Sequence, residues 1–144
     1  MKLINIQMVY SRTIRLIDTD AAGVIYFASL LSICHEAYED RLLQSGINLK
    51  TFFRNTETAL PIVHGEIDFF QPLFCGDRIE IQLIPKVINE NSFEISYKIF
   101  LAQSLEKTIA QGKTKHVCIN PLSRQKISLP DPIRNAIFGD LDHL

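Results

Sequence analysis

The sequence predicts an α+β fold, one long helix laid against one face of an antiparallel β-sheet. Three observations carry that expectation. From Phe27 onward Phe27, Leu30, Leu31, Cys34, Tyr38 and Leu42 recur at three- and four-residue spacing, a single helical stripe. Beyond Leu60 the chain alternates apolar and polar residues between turn-forming clusters. The order of elements is strand, long helix, then a run of strands.

Taken in order, Val9 to Ile17 is rich in β-branched and aromatic residues and reads as a strand. The helix that follows keeps Glu36, Glu39 and Asp40 largely off its apolar stripe and stops at Ser45-Gly46, because Gly accepts the left-handed conformation that ends helices. A shorter helical turn is expected over Leu49 to Arg54. Leu60 to Phe70 is a strand closed by Pro72 and the Gly76-Asp77 turn. In Arg78 to Val87, Ile79, Ile81 and Leu83 face one way and Arg78, Glu80 and Gln82 the other. Asn89 to Ser92 is turn chemistry. Phe93 to Ala102 turns Phe93, Ile95, Tyr97, Ile99 and Leu101 inward. Thr108 to Ile119 is a further strand, with a bulge expected at Gly112. Lys126 to Leu129 is expected to add a short strand, and Asp131-Pro132 to open a brief terminal helix.

The chain has 144 residues, 47% hydrophobic and 22% charged, enough for one domain with its own core and neither disordered nor fibrous. A formal net charge of -1 excludes a general nucleic-acid footprint. No apolar run approaches the roughly 18 residues of a membrane span, and the N-terminus lacks signal-peptide features. Cys34, Cys75 and Cys118 are scattered, as free thiols of a reducing compartment would be, so a cytoplasmic protein is expected. A sheet covered by one helix leaves strand edges that a second copy would pair. A homo-oligomer, at least a dimer, is expected on that ground, and a dimer of dimers is the expected assembly.

Chemistry concentrates in Asp18-Thr19-Asp20-Ala21-Ala22-Gly23-Val24-Ile25-Tyr26-Phe27. Two carboxylates sit in a turn feeding a helix N-terminus, beside a glycine that permits close backbone approach. The first N–H groups of a helix have no intrahelical acceptor and carry the positive end of its dipole. An acid beside such donors can attack or deprotonate while they hold a developing oxyanion. It can equally cap the helix.

This motif, preceded by a strand and followed by a helix and antiparallel strands, resembles that of the hotdog-fold acyl-CoA thioesterases of the 4-hydroxybenzoyl-CoA thioesterase family. A second matching stretch runs from Leu60 to Asp77 and ends in the Pro72-Leu73-Phe74-Cys75-Gly76-Asp77 turn. The resemblance covers about Val9 to Ile119. Within the family, the segment holding His64 and the overall length are most similar to the 1,4-dihydroxy-2-naphthoyl-CoA thioesterases of the quinone pathways. The resemblance implies a hotdog fold, an aromatic acyl-CoA substrate and no cofactor. It places Asp20 as nucleophile or general base, and the backbone amides of Gly23, Tyr26 and Phe27 at the oxyanion. Asp18 stays a turn or cap residue.

The remaining candidates each have a plainer reading. His64 borders the acyl pocket or is a strand histidine with a local partner. Phe69, with Tyr26, Phe27, Phe70 and Phe74, lines an acyl pocket, although Phe27 suits the core as well. Lys113 and Lys115, followed by Arg124 and Lys126, form the densest basic stretch. They seat the CoA phosphates or form a solvated strand face. His35 and Cys34 are neighbours on a helix and diverge too far to make a dyad, which leaves His35 at the surface. His116 and Cys118 share a strand face, yet lack an evident orienting group. No histidine pair has metal-ligand spacing, so no metal is expected. Runner-up readings are a thioesterase for 4-hydroxybenzoyl-CoA or for short acyl-CoA or acyl carrier protein esters, and a non-catalytic acyl-thioester binder.

Overall fold

The computed structural model describes residues 8–54 and 56–139. Strand β1 (Met8–Thr13) leads through a 3-10 turn at Leu16–Asp18 to helix α1 (Phe27–Gln44) and the single turn α2 (Leu49–Phe52). Strands β2 (Ile62–Phe69), β3 (Arg78–Asn89), β4 (Ser92–Leu101) and β5 (Ala110–Val117) follow, and α3 (Asp131–Phe138) closes the described chain. The five strands form one sheet in the order β1-β3-β4-β5-β2, with every pairing antiparallel.

The core lies between α1 and the sheet face turned toward it. Leu30, Ile33, Cys34, Ala37, Tyr38 and Leu42 of α1 are buried, opposite Ile79, Ile81 and Leu83 of β3 and Phe93, Ile95, Tyr97 and Ile99 of β4. The strand alternation expected from sequence is thus observed, because period-two patterning leaves only one way to face a covering helix. Gly46 ends α1 at φ +89°, the role read from the sequence. Truncating a fully buried side chain here, as in Leu30→Ala, would cost about 2–5 kcal/mol.

Several expectations need correction. The first strand ends at Thr13 instead of running to Ile17. Ile14 is buried and exchanges backbone hydrogen bonds with the Gly76-Asp77 turn, after which the Asp18 carboxylate accepts the Arg15 N–H and curls the chain. Phe27, at the first turn of α1, lies outside the core with 53% of its surface exposed, its ring beside the likewise exposed Phe69 at the end of β2. The ladder runs regularly through Gly112; the irregularities fall between Ile62 and His64 and between Val87 and Asn89. Gly112 is needed for space instead, because a Cβ there would lie 2.7 Å from Ile67 Cδ1 and 3.1 Å from the Glu66 carbonyl. Of the expected strand at Lys126 to Leu129, only an isolated bridge from Lys126 to Ile119 forms.

The other sheet face is mostly polar, with Val9 and Ile84 as exposed apolar residues on it. Residues paired across a ladder share a face, so Glu66 with Lys113 and His64 with Lys115 project away from α1. At one sheet edge β2 is exposed along almost its whole length and carries Ile62 and Val63 into solvent.

Candidate active site

The two sequence motifs meet in space. The Ile25 N–H donates to the Leu73 carbonyl at 2.8 Å, and Val24 bridges Phe74. The turn that closes β2 therefore seats the acidic loop. Within that loop, Asp20 N–H donates to Val24 O at 2.8 Å, and Thr19 bridges Ile25. Gly23 supplies the positive φ of +83° that closes this hairpin-like turn.

Asp20 is exposed and lines a cavity of about 500 Å³ with Val24, Ile25, Phe27, Phe69, Phe70, Gln71 and Pro72. The Phe27 and Phe69 rings lie 6.1 Å apart, tilted by 50°, on this wall. Asp20 Oδ1 accepts the Ala22 N–H at 2.8 Å, which fixes the carboxylate within its own loop. Oδ2 has no protein donor among the described residues. The side chain is thus held by one oxygen at the cavity wall, with the other uncommitted among the described residues.

The helix start behaves unevenly. Tyr26 is the N-cap, with extended backbone (φ -75°, ψ 141°), and its N–H donates to the Asp18 carbonyl at 2.8 Å. Gly23 N–H donates to the Asp20 carbonyl at 3.0 Å. Loop closure consumes both amides, so neither is available to an oxyanion as the resemblance implied. The Phe27 N–H, first in α1, has no acceptor among the described residues and belongs to a residue on the cavity wall.

Asp18 is the structural acid. Its carboxylate is buried and receives Arg12 Nη1 at 2.6 Å and the Arg15 N–H at 2.8 Å. Burial by itself would raise its pKa, but the Arg12 and Arg15 hydrogen bonds and the Arg12 charge together hold it below the usual carboxylate range.

The remaining candidates are not gathered here. His64 lies on the polar sheet face, where Nε2 meets Glu66 Oε1 at 2.8 Å, and does not line the cavity. Counted back from the buried Ile67, the regular ladder from His64 to Phe69 puts His64 on the opposite face. Lys113 and Lys115 share that face, and Lys113 lies 3.7 Å from Glu94. His35 is half-exposed and pairs with Glu39 at 3.4 Å. His116 is fully buried, with its ring stacked on Phe93 (4.7 Å) and Nε2 against Thr114 Oγ1 (2.8 Å). Cys118, also buried, places its Sγ 4.0 Å from the Ser128 carbonyl and has no hydrogen bond to His116, so the two make no nucleophilic pair. Sequence reasoning missed Gln71, which brings a neutral polar side chain to the cavity. Its place directly before Pro72, at the end of an apolar strand, was the available signal.

Known proteins share this fold. The thioesterase-like superfamily pattern matches residues 14–137, and the chain belongs to that family. A 1,4-dihydroxy-2-naphthoyl-CoA hydrolase of Crocosphaera subtropica is 61% identical over 135 residues, covering 94% of this chain and 98% of that one. One from Gloeothece citriformis is 59% identical over 124 residues, covering 86% and 87%. Among solved structures, a 1,4-dihydroxy-2-naphthoyl-CoA thioesterase from Synechocystis superposes with a TM-score of 0.87 at 40% identity, covering 96% of this chain and 99% of that chain. The hotdog arrangement of sheet and long helix is therefore the fold of this chain.

Proposed function

We propose that the protein hydrolyses the thioester of an aromatic acyl-CoA, and that 1,4-dihydroxy-2-naphthoyl-CoA is the substrate, giving 1,4-dihydroxy-2-naphthoate and CoA. One observation carries the reading: a carboxylate with a free oxygen and the first amide of an 18-residue helix belong to residues lining one aromatic-walled cavity. The names of the similar hydrolases support the choice of acyl group.

A thioester needs little activation because a thiolate is a good leaving group. Asp20 acts on the carbonyl carbon, either forming an acyl anhydride that water opens or taking a proton from the attacking water. Both routes add the elements of water across the C–S bond and release CoA as its thiol. Both put negative charge on the carbonyl oxygen, where the Phe27 N–H and the helix dipole stabilise it. Losing one such donor typically costs about 2.7–4 kcal/mol. Phe27, Phe69 and Phe70 provide flat apolar walls for a ring system, and Gln71 offers hydrogen bonding to a ring hydroxyl.

The exposed edge of β2, with Ile62 and Val63, suits pairing with a second copy into a dimer, and dimers into a tetramer. His64, Lys113 and Lys115 face away from their own chain's cavity. As pocket or phosphate contacts they serve a ligand reaching the polar sheet face from a second subunit. The free thiols of Cys34, Cys75 and Cys118 suit the cytoplasm. None of the described helices is long and apolar enough to cross a membrane.

The test is thiol release from a panel of acyl-CoA esters, including 1,4-dihydroxy-2-naphthoyl-, 4-hydroxybenzoyl- and short-chain esters, by the wild type and Asp20→Asn. Preference for the bicyclic ester, abolished by the substitution, is expected. A wild type that binds the esters without releasing thiol would make the protein a binder instead.

A further inference from the structure

We propose that Arg12 is a positioning residue for thioester cleavage: its guanidinium, shared between Asp18 and Glu36, holds the loop carrying Asp20 in register with the Phe27 amide. The inference rests on the reading of Asp20 and Phe27 given above and extends it to groups that do not touch the cavity.

The geometry is that of a three-way clamp. From β1, Arg12 reaches Asp18 through Nη1 (2.6 Å to Oδ2) and Nη2 (3.4 Å to Oδ1). Its Nε lies 2.8 Å from Glu36 Oε2, on the third turn of α1. The Tyr10 hydroxyl donates to the same Glu36 oxygen, so the helix carboxylate is held from two residues of one strand. Only 14% of the Arg12 side chain and 10% of the Asp18 side chain remain accessible, so water screens this pair weakly.

Asp18 passes the constraint on. Its carboxylate belongs to the clamp, while its carbonyl accepts the Tyr26 N–H, the bond that fixes the backbone immediately before Phe27. Thr19, the next residue, bridges Ile25, and Asp20 follows. One residue is thus tied by its side chain to β1 and by its backbone to the helix cap, with the reacting acid two positions away. A shift of Asp18 would move Asp20 and the cap relative to each other. Arginine suits the task because a planar guanidinium can address two carboxylates in fixed directions at once, whereas an ammonium on a flexible stem can neutralise them without fixing either.

The experiment compares Arg12→Lys, Arg12→Ala and Asp18→Asn with the wild type in thiol release from the aromatic acyl-CoA esters, alongside thermal unfolding and amide hydrogen exchange. A positioning role predicts a kcat lowered by about 10- to 100-fold with KM within about twofold, the scale expected when a reacting group is misplaced by about 1 Å. It also predicts faster exchange at the Asp20 and Tyr26 amides than in the wild type, with the buried part of α1 unchanged, and partial recovery of the Arg12→Ala rate on adding guanidinium. A kcat per folded molecule equal to wild type in Arg12→Lys overturns the proposal, even if its Tm falls, because Arg12 would then only stabilise the fold. If the wild type releases no thiol from any ester, the functional reading fails separately. The clamp is then judged by exchange alone, and unchanged loop exchange in Arg12→Lys overturns it.

Discussion

Asp18 and Asp20, separated by one residue, have opposite surroundings: the Asp18 carboxylate is buried against Arg12, while Asp20 lines the aromatic-walled cavity with one oxygen uncommitted. The same side chain, twice in three positions, therefore has two separable roles. Asp20→Asn should lower kcat by about 10²- to 10⁴-fold, the usual range for a positioned acid or base. It should leave the unfolding temperature nearly unchanged, because Asn can still accept the Ala22 N–H. Steady-state kinetics paired with thermal unfolding checks both halves.

Asp18 makes a distinct prediction about acid stability. Its carboxyl is held below the ordinary value, so the folded state releases that proton more readily than the unfolded chain. The stability it contributes is complete above the ordinary carboxylate range and is lost as pH falls through its folded pKa. Asp18→Asn should therefore be less stable at neutral pH and show a shallower loss toward low pH. Urea unfolding at a series of pH values measures this.

His116 acts in a higher window. Burial, aided by the positive charge His35 can carry, pushes its pKa down to about 4 from the ordinary 6.5. Above 6.5 the ring is neutral in both states and exacts no penalty. Between 6.5 and about 4 the unfolded state binds the proton first, so stability should fall by about 3 kcal/mol over that interval. NMR titration of the imidazole should show it neutral at pH 5. Replacement by Gln should flatten this part of the stability curve, even if Gln is less stable at neutral pH.

Gly112→Ala should destabilise the protein by about 1–3 kcal/mol through overpacking. The added methyl would fall 2.7 Å from Ile67 Cδ1 and 3.1 Å from the Glu66 backbone oxygen. The side chain can rotate away, but the ladder carbonyl cannot. Adding Ile67→Val to Gly112→Ala should recover only part of the loss, as chemical denaturation would show.

Val63 lies on the exposed edge of the sheet with 57% of its surface accessible. Val63→Lys should shift the protein toward monomer in sedimentation experiments, because a charge on an edge strand disfavours pairing with another copy. An unchanged sedimentation coefficient would place the subunit contact elsewhere.

How much of this was legible in advance differs by residue. The face assignments of Ile79, Ile81, Phe93 and Ile95 were readable because a strand's side-chain period is two and one face must be dry. Gly46 was readable as the end of α1 because its backbone conformation is one other residues resist. The role of His64 was not readable, because period two fixes its face relative to Ile67 but not on which face the cavity opens. Leu16 and Ile17 look like strand residues, yet both are exposed in a 3-10 turn that the Asp18 side chain imposes. The buried histidine pointed to possible chemistry, but its packing between Phe93 and Tyr38 makes it a core residue.

The residues themselves determined the fold class, the long helix and the acidic loop before it, since periodicity and turn chemistry are local properties. Tertiary structure alone decided that the Pro72–Asp77 turn would seat that loop, that Arg12 would take Asp18 and leave Asp20 to the cavity, and that two of the three candidate amides would be used up in holding the chain. The physical reason is that a hydrogen-bonding group can be spent once. Which partner claims it depends on segments far apart in sequence being brought together.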